Sequence, residues 1–246
     1  MPQCGLHMNN VSFLKQWGKK YGIGIIVGLL MSVGFLVMDA DRWIGMHTLN
    51  QKTAKYTVVI DSGHGGVDPG KIGVDGVYEK DINLAITEKV KKCLEKEKIT
   101  AELTRKEDKG LGTTGDGSKK TEDMQARVKM INETKPVLTV SIHQNSYEDP
   151  EIHGAQVFYY EGSKEGKMLA ELLQKSLIDN VDPQNHRVAK ANSGYYILKN
   201  TSAPTVIVEC GFLSNPEEES LLISAAYQEK LVEALQKGIC AYLVEH

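Results

Sequence analysis

Apolar positions along the chain fall into two regimes. Across residues 21–38 no charge interrupts a run dominated by Ile23, Ile25, Ile26, Val27, Leu29, Leu30, Val33, Phe35, Leu36 and Val37. As a helix this run is about 27 Å long at about 1.5 Å per residue, close to the hydrocarbon thickness of a bilayer. From residue 56 onward the apolar positions instead form short runs of strand length, interleaved with stretches of helical period. Residues 56–60, 99–103, 137–142, 155–160, 195–198 and 205–208 are expected as strands. Ile82, Ile86, Val90 and Cys93 mark a helix over roughly residues 80–97. Met124, Val128 and Ile131 mark another, as do Leu169, Leu172, Leu173 and Leu177, and then Leu231, Leu235, Ile239 and Tyr242. Asn215-Pro216-Glu217-Glu218 reads as a helix start, with an N-cap amide, a proline at the first position and carboxylates at the positive end of the dipole. Residues 106–120 contain Gly110, Gly112, Gly115 and Gly117 and predict a mobile loop. Strands alternating with helices, with no internal repeat, give a single α/β domain.

The flanks of the first run set a topology. Lys15, Lys19 and Lys20 precede it, and Asp39 and Asp41 follow. By the positive-inside rule, residues 1–20 lie in the cytoplasm, 21–38 span the membrane, 39–55 form an outer tether and 56–246 a domain outside the cell membrane. A cleaved signal peptide is the competing reading. The run exceeds the usual apolar length of about 7–15 residues, and Ser32 and Gly34, the small residues a cleavage site needs, lie inside it.

Charge then narrows the partners. Of 29 basic and 32 acidic residues, 25 and 30 fall after residue 42, a formal net charge of −5 there. Such a domain has no general attraction for nucleic acid. Cys4 is cytoplasmic on this topology, leaving Cys93, Cys210 and Cys240 outside. With no metal-finger spacing, these three read as small buried hydrophobes.

Three polar residues sit where strands end. His64 lies in a Gly63-His64-Gly65-Gly66 turn after the first strand, His143 follows the run at 137–142, and Glu209 follows that at 205–208. Glu79 opens the first helix and can turn back toward His64. Sites in α/β sheets gather at strand ends, so these groups can converge. Two imidazoles and one carboxylate make a catalytic zinc set, with the fourth position left to water. Zinc acidifies that water and polarises a carbonyl, and a second carboxylate, for which Glu209 is spare, moves the proton. Blander readings stay open on spacing alone: a polar loop histidine, a satisfied core histidine, or Glu79 as a carboxylate facing a helix dipole. His153, His186 and His47 are spare histidines that could replace a ligand. Glu209 is the hardest to dismiss, because a carboxylate ending an apolar strand is expensive to bury without a role. The glycine turn lacks the Gly-Lys-Ser/Thr ending of a phosphate loop, and no G-x-S-x-G elbow is present. Cys210 would point to the opposite side of the strand from Glu209.

Four stretches, in order, resemble the motifs of zinc-dependent N-acetylmuramoyl-L-alanine amidases: Val59-Ile-Asp61-Ser-Gly-His64-Gly-Gly66, Glu79-Lys-Asp81, Ser141-Ile-His143-Gln-Asn145 and Val208-Glu209-Cys-Gly-Phe-Leu-Ser-Asn215. The resemblance spans residues 56–244. It implies zinc bound by His64, Glu79 and His143, with Glu209 as the catalytic glutamate. The implied fold is a mixed six-stranded sheet flanked by helices. The implied reaction is hydrolysis of the amide between the lactyl group of N-acetylmuramic acid and L-alanine in peptidoglycan. The Thr121-Glu-Asp-Met-Gln-Ala-Arg127-Val-Lys-Met-Ile-Asn132 stretch and the bare anchor look most like the CwlD-type amidases, which act on spore cortex and help to make muramic lactam. Division-type relatives insert a helix that covers the zinc after the strand matching residues 155–160. Here only Glu161-Gly-Ser163 follows, so control is expected to pass to a protein partner or to zinc supply. A non-catalytic peptidoglycan-binding scaffold would be marked by loss of a ligand or of the glutamate, and all four residues are present. A zinc peptidase acting within the stem peptide is the nearer alternative.

Overall fold

The computed structural model describes residues 56–112 and 119–245. The expected cytoplasmic segment, membrane span and tether lie outside the described residues, as does His47. Among the described residues no helix is long and apolar enough to cross a membrane. The described residues form six strands and six helices: β1 (Thr57–Ser62), α1 (Glu79–Lys96), β2 (Thr100–Leu103), α2 (Lys119–Thr134), β3 (Thr139–Asn145), β4 (Gln156–Tyr160), α3 (Lys164–Asn180), β5 (Lys190–Asn192), α4 (Tyr196–Asn200), β6 (Thr205–Phe212), α5 (Pro216–Leu222) and α6 (Ala225–Glu245). They build one mixed sheet in the order β2-β1-β3-β6-β4-β5. All neighbours run parallel except β4, which is antiparallel to β6.

Strand parity divides the apolar residues between two faces. Val58, Ile60, Val140, Ile142, Val206, Val208 and Cys210 enter the larger core, under α1, α3 and α6. Val59 and Ile207 face the other way and meet Val128 and Ile131 of α2 and Ile197 and Leu198 of α4 in a smaller cluster. The larger core closes tightly where α3 crosses α6: a Cβ on Gly238 would lie 3.0 Å from the Leu173 Cα. Cys93, Cys210 and Cys240 are free thiols, the last two buried.

The smaller face is thinly covered, and it holds the polar strand residues Asp61, Ser141, His143 and Glu209. The α5 start behaves as its sequence demands: the Asn215 side chain accepts from the Glu218 N–H at 3.0 Å, with proline in the first turn. Residues 195–198, expected as a strand, instead cap and open α4, with Tyr195 as its N-cap. Asn192 Oδ1 accepts from the Gly194 N–H at 2.7 Å and the Tyr195 N–H at 3.0 Å, and this side-chain turn starts the helix. The sixth strand is β5, whose Lys-Ala-Asn composition at the sheet edge has no apolar pattern to read. Of the loop expected at 106–120, residues 113–118 lie outside the described residues, and α2 already begins at Lys119.

Candidate functional site

Three adjacent parallel strands, β1, β3 and β6, deliver the site at their carboxyl ends. His143 and Glu209 are register partners on β3 and β6. β1 makes its last sheet bond through the Gly63 N–H to the Ile142 carbonyl, 3.1 Å, and the chain then leaves the sheet. His64 follows with φ of 61°, left-handed backbone that a non-glycine residue rarely adopts. Gly63 must be glycine, because a Cβ there would collide with the His143 ring. A register shift between β3 and β6 follows His143, and such irregularities commonly border sites.

His64, Glu79 and His143 offer nitrogen or oxygen donors that all lie within 4.8 Å of one another. Glu79 sits between the imidazoles, with Oε2 3.1 Å from His64 Nε2 and Oε1 2.9 Å from His143 Nδ1. The rings meet edge to face, their centroids 5.0 Å apart. The Glu79 carboxylate also accepts from the Lys71 N–H, the Gln144 N–H and Asn83 Nδ2. Burial alone would raise its pKa. The hydrogen bonds and charges of the two histidines win, and the carboxylate is held far below its ordinary range. Burial likewise works against a charged His143, yet the hydrogen bond that its Nδ1 donates to Glu79 leaves its pKa raised above 6.5. On the far side of the other ring, His64 Nδ1 meets Asp68 Oδ2 at 2.8 Å. That contact fixes the tautomer that turns Nε2 toward Glu79. Burial would raise the Asp68 carboxyl, but the His64 hydrogen bond and charge leave it lowered.

Glu209 stands beside this cluster with a different electrostatic character. It is 7% exposed, and its Oε2 has no hydrogen-bond partner among the described residues. Burial, helped by the charge of Glu79, pushes its pKa up to about 7 against the lowering effect of the two histidines. The two carboxylates of one cleft are therefore shifted in opposite directions, the pattern that separates an anchoring group from a proton carrier. Both open onto a cleft of ≈ 500 Å³, lined also by Lys71, Met124, Tyr195 and Ile207. The donor set of two imidazole nitrogens and one ionised carboxylate oxygen fits zinc.

All four residues singled out from the sequence meet at this cleft. His153 and His186 do not: they border a separate cleft with Ile152 and Gln184. Cys210 lies in the larger core, on the far face from Glu209, and burial pushes its thiol above the range of a nucleophile. Asp68 was missed, although its place four residues after His64 in an Asp-Pro-Gly turn was a usable signal. Tyr195 and Tyr196 were missed as cleft residues because their segment read as a strand.

The β4–α3 link is confined to residues 161–163, so no covering element occurs there. The family model described as N-acetylmuramoyl-L-alanine amidase matches residues 58–241. The germination-specific N-acetylmuramoyl-L-alanine amidase of Bacillus subtilis is 37% identical over 191 residues, covering 76% of this chain and 80% of that protein. The amidase AmiA of Escherichia coli is 30% identical and covers 76% of each chain. Among solved structures, the CwlD amidase of Clostridioides difficile in complex with the GerS lipoprotein superposes with a TM-score of 0.76 at 38% identity, covering 78% of this chain and all of that one. With the family model spanning most of the chain and these relatives matched over most of their own length, the protein belongs to the N-acetylmuramoyl-L-alanine amidase family.

Proposed function

We propose that this amidase is zinc-dependent, binding the metal through His64, Glu79 and His143, and that it cleaves the amide between the muramic acid lactyl group and L-alanine of peptidoglycan. Zinc in such a site supplies Lewis acidity, polarising a carbonyl and acidifying water. The chain's own residues do the rest. Asp68 holds the His64 tautomer, the Lys71 and Gln144 N–H groups hold the Glu79 carboxylate in place, and Glu209 takes a proton from the attacking water and returns it to the departing L-alanine amine. The observation behind this assignment is the buried Glu209, with an unpartnered oxygen and a pKa brought to about 7. In the metal-free protein burial thus moves this carboxyl in the direction that a group alternately accepting and donating a proton requires. A scaffold would gain nothing from such an arrangement, since an unpartnered buried carboxyl destabilises the fold.

Mass analysis of peptidoglycan digested by the purified full chain tests the reaction. Release of intact stem peptides beginning with L-alanine is expected. Fragments cut within the stem would instead identify a peptidase.

The finer assignments are proposals on the same footing. The similarity to a germination-specific amidase supports a role in spore cortex, where the lactyl carboxyl freed by this cut becomes available to form muramic lactam once a separate deacetylation has freed the sugar amine. The uncharged run at 21–38 behind three lysines supports a retained membrane anchor, with the catalytic domain at 56–246 outside the cell membrane. Intact-mass measurement of membrane-extracted protein should find residues 1–38 in place, and a mature N-terminus after residue 34 would refute the anchor. The short β4–α3 link, and a CwlD relative solved with a lipoprotein, support control by a protein partner.

A further inference from the structure

Arg127 is the largest fully buried side chain among the described residues, at 1% exposure, and nothing in the proposed reaction uses it. It lies on α2, in the 121–132 stretch that otherwise served only to suggest a subgroup. Its guanidinium reaches across the smaller face of the sheet to the end of β1. Nη1 donates to Asp61 Oδ1 at 2.7 Å and to the Ser62 carbonyl at 2.6 Å. Nη2 donates to the His64 carbonyl at 2.6 Å, and Nε to Asp123 Oδ2 at 2.5 Å. A second buried guanidinium, that of Arg105, approaches from the end of β2. It donates from Nε to the Ser62 carbonyl and from Nη2 to the Gly63 carbonyl, both at 3.1 Å.

Three successive carbonyls, of Ser62, Gly63 and His64, are therefore gathered by two arginine forks at the point where β1 leaves the sheet. This is also where His64 takes a left-handed backbone, with φ of 61°. A non-glycine residue stays in that region only when its surroundings over-determine it. The hydrogen bond from Arg127 to the His64 carbonyl acts on that residue's own peptide. Asp68 orients the ring, but nothing about the ring fixes the backbone from which it projects. Asp61, itself bound by Thr104 Oγ1 and Ser141 Oγ, holds the guanidinium in place from β1. Asp123 holds it from α2 and also accepts the Leu111 N–H at 2.6 Å.

We propose that Arg127 is a positioning residue for the metal site: its fork sets the His64 backbone so that Nε2 points at the place shared with Glu79 and His143. The inference rests on the zinc reading above. It needs the fork and not merely a positive charge, because one nitrogen of a lysine cannot span Asp61, Asp123 and two carbonyls.

The test is zinc affinity of the full-length, zinc-depleted protein, measured by competition with a chelating dye. Arg127→Lys retains the buried charge and should weaken zinc binding about 10–100-fold, the usual size of an outer-shell effect. Ile131→Ala, on the same helix but packed in the smaller core, should lower the melting temperature and leave zinc affinity unchanged. Equal zinc affinity in Arg127→Lys and wild type would overturn the proposal. So would an equal loss in Arg127→Lys and Ile131→Ala, which would mark a general effect of destabilisation. Should Arg127→Lys fail to fold, Asp123→Asn releases only the Nε contact. It should still weaken zinc binding several-fold, and an unchanged affinity there overturns the proposal too. Failure of the zinc reading looks different: wild type would take up no zinc, or His64→Ala would take up as much.

Discussion

Replacing Glu209 by glutamine separates its catalytic role from its structural cost, because the two should move in opposite directions. The amide keeps the shape and hydrogen-bonding capacity of the acid and cannot carry the proton. Turnover should fall by about two to four orders of magnitude, about 3–5 kcal/mol of activation free energy. Stability should rise. The Glu209 pKa goes from 4.5 to about 7 in the folded, metal-free protein. Between those values the folded state holds a proton that the unfolded state has released, so stability falls as pH rises. Each pH unit there is worth about 1.4 kcal/mol, so the full penalty, present above pH 7 and absent below 4.5, is about 3 kcal/mol. Zinc-depleted Glu209→Gln should therefore melt roughly 6–12 °C above zinc-depleted wild type at pH 8 for a domain of this size. At pH 5 the two should nearly coincide. With zinc restored the gap at pH 8 should narrow, since a dication in the same cluster offsets the carboxylate. Scanning calorimetry of both proteins at both pH values, with elemental analysis for zinc, measures all of this. Equal melting at pH 8 would refute the picture of a buried unpartnered carboxylate. Loss of zinc would make Glu209 a ligand, and unchanged turnover would remove it from the mechanism.

Four further outcomes follow from the structure. His64→Ala and His143→Ala each delete one of three protein donors and should lose zinc by elemental analysis, as chelation should abolish hydrolysis by the wild type. Because the His143 pKa is raised above 6.5 in the metal-free protein, zinc affinity should begin to fall on acidification above that value, and isothermal titration at stepped pH would show it. Asp68→Ala frees the His64 Nδ1 and should weaken zinc binding about 10–100-fold, read by dye competition. Gly238→Ala gains helix propensity, but its Cβ meets the Leu173 Cα at 3.0 Å, and backbone cannot yield as a side-chain tip can. A net loss of about 1–3 kcal/mol in urea unfolding is expected.

What the sequence could disclose depended on whether a residue's role is written in its neighbours. His143 and Glu209 follow runs of strand apolars, which put both at strand ends, and period-2 parity set Glu209 opposite Cys210. Their convergence then needed only the strand order β1-β3-β6. Glu79 was legible as a helix start, and His64 as part of a glycine turn. The errors fall where local pattern is weak. Four consecutive apolar residues at 195–198 suit a strand or a helix equally, and what decides is Asn192, which binds two N–H groups outside that run. The true edge strand β5 borrows its conformation from Phe158, Tyr159 and Tyr160 of β4 and has no apolar face of its own. Arg127 shows a deeper limit. In sequence it reads as one more charge on an amphipathic helix, which is where an arginine ordinarily lies exposed. Apart from Asp123, its partners Asp61, Ser62 and His64 are more than sixty residues away, and those three bonds go to backbone carbonyls or to an aspartate that itself looks like a strand end. No periodicity reports a side chain that satisfies another segment's carbonyls. The ligands of such a site can be read from motif and parity, whereas the groups that aim those ligands emerge only once the chain is folded and each buried carbonyl has to be given its donor.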